Sequence, residues 1–362
     1  MVSTRTLHTP LCDVLGIRYP IIQAPMAGST TPELVAAVSN AGGLGMLGAG
    51  WMDADQLREA IDAIKERTEQ PFGVNFLLIN LEPGEHDPAT VQPFLNRYRE
   101  ELGLPPGSNE LPERTPQTRE MLEVVAAERV PVVGFAMKDP SSLIGPLKEA
   151  GATVFAMVTS VAEAEQVVAG GVDVVVAQGA EAGGHQSTFN VGPDDELPLV
   201  GTLSLVPQVV DAVSVPVVAA GGIMDGRGVV AALALGAQGA QMGTRFLSAR
   251  ESGVSPANRE RLLAAIETDI MLTRAYSGRP ARGIRNHFLE TYHRDGPEPL
   301  SYPLHHAATS DIFREAASRD DADYFPLMAG QGVRLIRQSQ GAMEIVEELV
   351  AEAESVISRL AL

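Results

Sequence analysis

The chain has 362 residues, 45% of them apolar and 20% charged, and a formal net charge of -19. This is enough apolar material for one large α/β domain with appendages. So acidic a surface repels phosphate backbones and anionic membranes, which argues against nucleic-acid and membrane partners; a small anion needs a locally positive pocket.

The single cysteine, Cys12, permits no internal disulfide. It reads as a small apolar residue, in keeping with a reducing compartment. The first residues, MVSTRTLHTP, lack the apolar core of a signal peptide, and no run reaches the ~18 apolar residues of a membrane span. A cytoplasmic location is expected.

From Tyr19 onward, short apolar runs recur: PIIQAP (20–25), GLGMLG (43–48), FGVNFLL (72–78), VPVVGFAM (130–137), ATVFAMV (152–158), VDVVVAQ (172–178), PVVAAGG (216–222) and GAQMGTRFL (239–247). They are nearly continuous in apolar residues, as strands buried on both faces are. Amphipathic segments separate most of them. Thr31 before Pro32 predicts a helix start with proline at the first helical position. Asp53 with Gln56 three residues on predicts a capping box ahead of Leu57, Ala60, Ile61 and Ile64. Asp225 predicts a third start. Ala41-Gly42, Ala150-Gly151, Ala169-Gly170 and Leu235-Gly236 each place a glycine where a left-handed C-cap is needed.

Eight strands with helical crossovers predict an α/β fold, a (β/α)8 TIM barrel of about 250 residues. A doubly wound open sheet is the alternative, and the count of eight favours the barrel. Two stretches break the alternation. Residues 79–115 are rich in Pro, Glu and Asn; residues 251–334 hold helical patches, SGRPARGIRN and a Pro- and His-bearing segment. They are expected to be an inserted lid over one barrel mouth, with 1–78, 116–250 and 335–362 forming the barrel. In the tail, Ile345, Val346, Leu349 and Val350 fall at helical spacing and are expected to pack back on it.

GLGMLG matches G-x-G-x-x-G, but a dinucleotide site needs a strand before it and a helix opening inside it. Here a helix precedes it, so a tightly packed small-residue strand is the better reading. The ends of the seventh and eighth runs, AAGGIMDGRG (219–228) and AQMGTRFL (240–247), are more informative. Loops at these positions of a barrel often hold phosphate on backbone N–H groups. Gly221 and Gly222 permit close backbone approach, and Gly243 and Thr244 offer an N–H and a hydroxyl. Ordinary turn chemistry is the alternative. Arg245 either adds charge there or faces outward in a salt bridge. Gln23, Asn75 and Gln178 stand in or at the ends of apolar strands, where an unpaired amide is costly. They bond one another or read the edge of a planar heterocycle, and three near one mouth favour the second. His185 follows Gly183 and Gly184 directly beyond the sixth strand. The His305-His306 pair falls in the expected lid, where it either approaches substrate or is a solvated loop pair, and the second reading is favoured. No cluster has metal-ligand spacing, so no metal is expected.

PIIQAPMAG, AVSNAGGLG, FGVNF, VVAQGAEAGGH, PVVAAGGIMDGRG and QMGTRF, in that order, resemble the nitronate monooxygenases, older name 2-nitropropane dioxygenases. SGRPARGIRN and YFPLMAGQG resemble the bacterial branch of that family, and the likeness runs from about Leu15 to about Gly332. The resemblance implies an FMN-containing barrel with a lid. By matching motif positions it implies flavin contacts at Ala24, Pro25, Met26, Asn75, Gln178, Gly183 and Gly222, with Gln241, Met242, Gly243 and Thr244 at the phosphate end. It maps the active-site histidine to His185, as a base toward neutral nitroalkanes or a positioning group for nitronates. The implied reaction turns an alkyl nitronate and O2 into a carbonyl compound and nitrite without a nicotinamide. Relatives of the family reduce enoyl thioesters or quinones with NADH, and AGGH occurs among the enoyl reductases too. An NADH-dependent FMN reductase is therefore the rival reading, and a non-catalytic sensor barrel a more distant one. A homo-oligomer is left open.

Overall fold

The computed structural model describes residues 7–79, 84–110, 118–191 and 197–360. The start of the N-terminal segment (1–6), parts of the first predicted insertion (80–83 and 111–115) and the last two tail residues lie outside them.

Eleven strands occur among the described residues. They are β1 (Ile21–Gln23), β2 (Leu44–Gly48), β3 (Phe72–Leu77), β4 (Val132–Ala136), β5 (Thr153–Val158), β6 (Val174–Gln178), β7 (Gly184–His185), β8 (Val217–Ala220), β9 (Gly239–Met242), β10 (Ile270–Thr273) and β11 (Ala281–Ile284). Eight of them close a barrel in the order β1-β2-β3-β4-β5-β6-β8-β9, with β9 pairing β1 in parallel. Each predicted run contributes one barrel strand, and the closed ring excludes the open sheet. GLGMLG contains β2, with the helix Pro32–Asn40 before it, so it does not form a dinucleotide loop.

The continuous apolar runs follow from burial on both faces. Ile22, Met46, Val132, Val176 and Val218 fill the barrel interior. Their strand neighbours Ile21, Leu47, Val133, Val175 and Ala219 pack outward under the helices. Successive side chains alternate faces, so each run must be apolar at every position.

The predicted caps form. Thr31 Oγ1 accepts from the Leu34 N–H at 3.1 Å, and Asp53 and Gln56 make the reciprocal capping box. Asp225 accepts from the N–H groups of Arg227 (2.9 Å) and Gly228 (3.2 Å). Gly42, Gly151 and Gly236 take left-handed φ values of 94°, 89° and 94°. The expectation for Gly170 is off by one: it is still right-handed, at φ -74°, and Gly171 takes the left-handed turn at φ 95°.

Only the short helix Thr244–Leu247 follows β9 directly. The outer layer is completed there by the tail helix Ala342–Leu360, which packs on Pro32–Asn40 and Gly226–Ala234 through Ile345, Val346 and Leu349. Arg245 fastens it. Its guanidinium is buried and donates to Gln340 Oε1 at 2.7 Å and Glu348 Oε2 at 2.8 Å. Of the two expectations for Arg245 the salt bridge is the one that forms, to Glu348, although the side chain is buried beneath the tail helix and not at the surface.

A second apolar cluster lies outside the barrel. Leu95 and Tyr98 of the helix Gln92–Glu101 meet Phe288, Leu289, Ile312 and Phe313 of the helices His287–Asp295 and Leu304–Ser318. Buried Arg99 pins them, donating to Asp311 Oδ2 at 2.8 Å and to the Ala308 carbonyl at 2.6 Å. A three-stranded antiparallel sheet, β10-β11-β7, joins this cluster to the loop after β6. Among the described residues no helix is long and apolar enough to cross a membrane.

Candidate active site

A cavity of about 1670 Å³ opens at the carboxyl ends of the barrel strands. That is where side chains and loops of several strands converge in such barrels. Of the residues marked in the sequence, thirteen line it: Ala24, Pro25, Met26, Asn75, Gln178, Gly183, His185, Gly221, Gly222, Gln241, Met242, Gly243 and Thr244.

The turn after β8 carries two left-handed residues in succession, Gly221 at φ 104° and Gly222 at φ 71°. L side chains rarely adopt this backbone, so the turn needs glycine whatever it binds. Opposite it, Gly243 opens the helix Thr244–Leu247, and Thr244 Oγ1 accepts from the Gly330 N–H at 2.9 Å. Glu181 also lines this end, which sequence reasoning did not single out. Its carboxylate is turned away onto Thr202, accepting from the N–H and the hydroxyl, each at 2.9 Å. Gly183 has a protein reason for its size, since a Cβ there would come within 2.5 Å of Ala329 C and Gly330 N.

The three conspicuous amides do three different things. Gln23 is a correction: it does not line the cavity. Its Oε1 accepts from the Met46 N–H at 3.1 Å and its Nε2 donates to the Met46 carbonyl at 3.2 Å and to the Ala24 carbonyl, which ties β1 to β2. Gln178 lines the cavity, but both ends of its amide hold the histidine loop. Nε2 donates to the His185 carbonyl at 3.0 Å, and Oε1 accepts from the Ser187 N–H at 2.8 Å. Asn75 is buried at the mouth opposite Gly134, with only long contacts to neighbouring backbone. A fourth amide, Gln241, is 3% exposed, lines the cavity and makes no side-chain hydrogen bond among the described residues.

His185 is fixed from three sides. Its backbone pairs with Ala281 of β11, its carbonyl is held by Gln178, and its ring Nε2 lies 2.8 Å from Ser277 Oγ. Nδ1 makes no hydrogen bond among the described residues. Burial, then the charges of Arg279 and His306, push its pKa down to about 3. The imidazole is therefore neutral near pH 7. Next to it, Met137 holds a left-handed φ of 78° and donates its N–H to Ser187 Oγ at 2.9 Å. A non-glycine residue in that region is local strain of the kind that collects at functional sites.

His305 and His306 are not the solvated loop pair favoured for them, and His306 reaches the cavity, as the alternative had it. Both lie on the helix Leu304–Ser318. His305 is fully buried, with Nε2 at 3.0 Å from the Ala275 carbonyl and Nδ1 accepting from the Leu300 N–H at 3.3 Å. Those partners set its tautomer and make it structural. His306 lines the cavity and stacks on Trp51, ring centroids 4.1 Å apart and planes at 20°.

The family model for nitronate monooxygenase matches residues 8–352. A probable nitronate monooxygenase of Staphylococcus saprophyticus is 41% identical over 98% of this chain and 99% of its own length. This chain belongs to the nitronate monooxygenase family. A Staphylococcus aureus member of the family, also named probable nitronate monooxygenase, is 42% identical over 96% of this chain and 98% of its own. Among solved structures, nitroalkane oxidase from Streptomyces ansochromogenes superimposes with a TM-score of 0.89 at 39% identity, covering 97% of this chain and 99% of that one. FabK from Thermotoga maritima gives 0.79 at 34% identity, over 98% and 99%. Membership makes the chain a flavin-dependent oxidoreductase. The site suits a flavin on its own evidence: Gln241 and Asn75 both line the cavity with amides that protein engages weakly or not at all, and the glycine turn after β8 stands next to Gly243 and Thr244 at the end of the adjoining β9.

Proposed function

We propose that this member of the nitronate monooxygenase family binds FMN and oxidises alkyl nitronates with O2 to carbonyl compounds and nitrite. The observation that carries the reading is His185, a neutral imidazole anchored by Ser277 in the cavity that Asn75 and Gln241 also line.

Bound FMN would supply the electron-accepting chemistry that lets an electron-rich nitronate react with O2. The chain's residues supply position and charge. Gly221, Gly222, Gly243 and Thr244 would hold the phosphate on backbone N–H groups and a hydroxyl. Asn75 and Gln241 would meet the edge of the ring system, with Ala24, Pro25 and Met26 against its body. Gln178 and Gly183 would act through the loop, one by bonding it and the other by letting it pack on Ala329 and Gly330. Arg279 makes the surroundings of His185 locally positive within a chain of net charge -19, which favours an anionic nitronate. Toward a neutral nitroalkane, His185 would take the α-proton at Nδ1, the ring nitrogen with no protein partner.

The likeness to FabK favours a second reading, an NADH-dependent flavin reductase of enoyl thioesters or quinones. An oxygen-electrode assay with propyl nitronate, with and without NADH, separates the two. Oxygen uptake that needs nitronate and not NADH supports the first reading. Rapid anaerobic bleaching of the flavin by NADH, with no nitronate-dependent uptake, overturns it.

A further inference from the structure

The cavity extends along one face of the lid helix Leu304–Ser318. His306, Ser310 and Arg314, at successive i,i+4 positions, all line it, with Phe313 beside them. At 1.5 Å per residue, the row from His306 to Arg314 is about 12 Å long. Its inner end is the His306–Trp51 stack, close enough to His185 for His306 to act on its charge. The apolar residues Phe325, Pro326, Leu327 and Met328 line the same cavity. At the outer end the helix Pro256–Ala264 begins, its Ala257 N–H donating to Asp320 at 3.1 Å. Ser255 and Asn258 line the cavity there. Asn258 is 3% exposed, and its Oδ1 has no hydrogen-bond partner among the described residues.

Arg314 is exposed and makes no hydrogen bond or ion pair among the described residues. Its acidic neighbours on the helix are already engaged. Asp311 is held by Arg99 at 2.8 Å and Glu315 by Arg319 at 2.6 Å. A guanidinium without a counter-charge at the end of an apolar channel is a seat for an anion.

We infer that this arm is a substrate groove for an unbranched apolar chain ending in a carboxylate or phosphate, with the anion on Arg314 and the reacting carbon beside His185. The inference rests on the nitronate reading above and narrows it: the preferred nitronates carry a distant anionic end.

The test uses the flavin-loaded enzyme and nitronates of increasing chain length, each as ω-carboxylate, ω-phosphate and carboxylate methyl ester. Once the chain is long enough to reach Arg314, kcat/KM for the anion exceeds that for the ester about tenfold. The ratio collapses in Arg314→Gln and is retained in Arg314→Lys. The stronger of the two anion series identifies the end group. A ratio near one at every length overturns the groove. Binding gives a second readout that needs no turnover, because Trp51 is the only tryptophan in the chain and sits at the groove's inner end. Saturated α,ω-dicarboxylates change its fluorescence at lower concentration than their monoesters do, and Arg314→Gln removes the difference. Equal binding of diacid and monoester overturns the inference whatever the chemistry. Selective diacid binding with no turnover of any nitronate supports the groove and overturns the reaction reading instead.

Discussion

Ser277 Oγ and His185 Nε2 lie 2.8 Å apart, joining the segment that precedes β11 to the loop after β6. The two residues are 92 positions apart in sequence. The contact leaves Nδ1 as the nitrogen open to a substrate. Ser277→Ala removes the anchor without removing the imidazole. We expect about a tenfold loss of kcat on neutral nitroalkanes, within the range of general-base contributions, and a smaller loss on preformed nitronates. Steady-state rates on both substrate forms check this, and equal losses would point to a structural role for Ser277.

His185→Asn removes the proposed base. Turnover of neutral nitroalkanes should fall about 10²–10⁴-fold, and nitronate turnover should suffer less. If both fall alike, the histidine orients substrate rather than moving a proton.

Burial depresses the pKa values of His185, to about 3, and His305, to about 4. In the unfolded chain both titrate near 6.5. Between about pH 6.5 and 4 the unfolded state thus holds more protons than the folded one, and stability rises with pH across that window. It is fully present above 6.5. Thermal melts over this range should show a falling Tm on acidification, with a shallower slope in His185→Asn. An unchanged slope would mean that His185 is charged in the folded protein at acid pH.

Gln241→Leu replaces a buried amide that has no protein partner with an apolar side chain of similar size. Removing an unsatisfied polar group is neutral or stabilising. The melting temperature of the apoprotein should hold or rise, while flavin affinity drops about tenfold, the worth of roughly one good hydrogen bond. Fluorescence titration of apoprotein with FMN measures the second quantity. Undiminished affinity would remove Gln241 from the flavin contacts.

Arg245→Leu should destabilise the fold by about 1–3 kcal/mol, because the partly buried Glu348 and Gln340 lose their donor. Flavin content should not change. Loss of FMN at unchanged stability would instead return Arg245 to the phosphate end.

The barrel was legible because burial on both faces is written into every position of a strand. The pairs Ile21–Ile22 and Val175–Val176 need no knowledge of their neighbours to be read. Caps were legible for a similar reason, since Asp53 and Gln56 satisfy each other within one turn. The glycine loops after β8 and β9 were found because an unusual backbone leaves its mark in residue type. The fate of an amide depends on which way a side chain points and what stands there, and neither is local. Gln23 and Gln241 look alike in sequence, yet one ties two strands together and the other faces the cavity. Ser277 and Trp51 gave no signal, because their partners His185 and His306 are far away along the chain. His306 belongs to a helix, and the row His306, Ser310, Arg314 carries a helical spacing in the sequence that shows it.

The join between β9 and β1 is bridged on its outside by Ala342–Leu360, lying across the helices that follow β1 and β8. The ring itself can close once β9 has been made, but its outer cover comes about a hundred residues later. A nascent chain stalled before Ala342–Leu360 would expose the apolar backs of those two helices to chaperones.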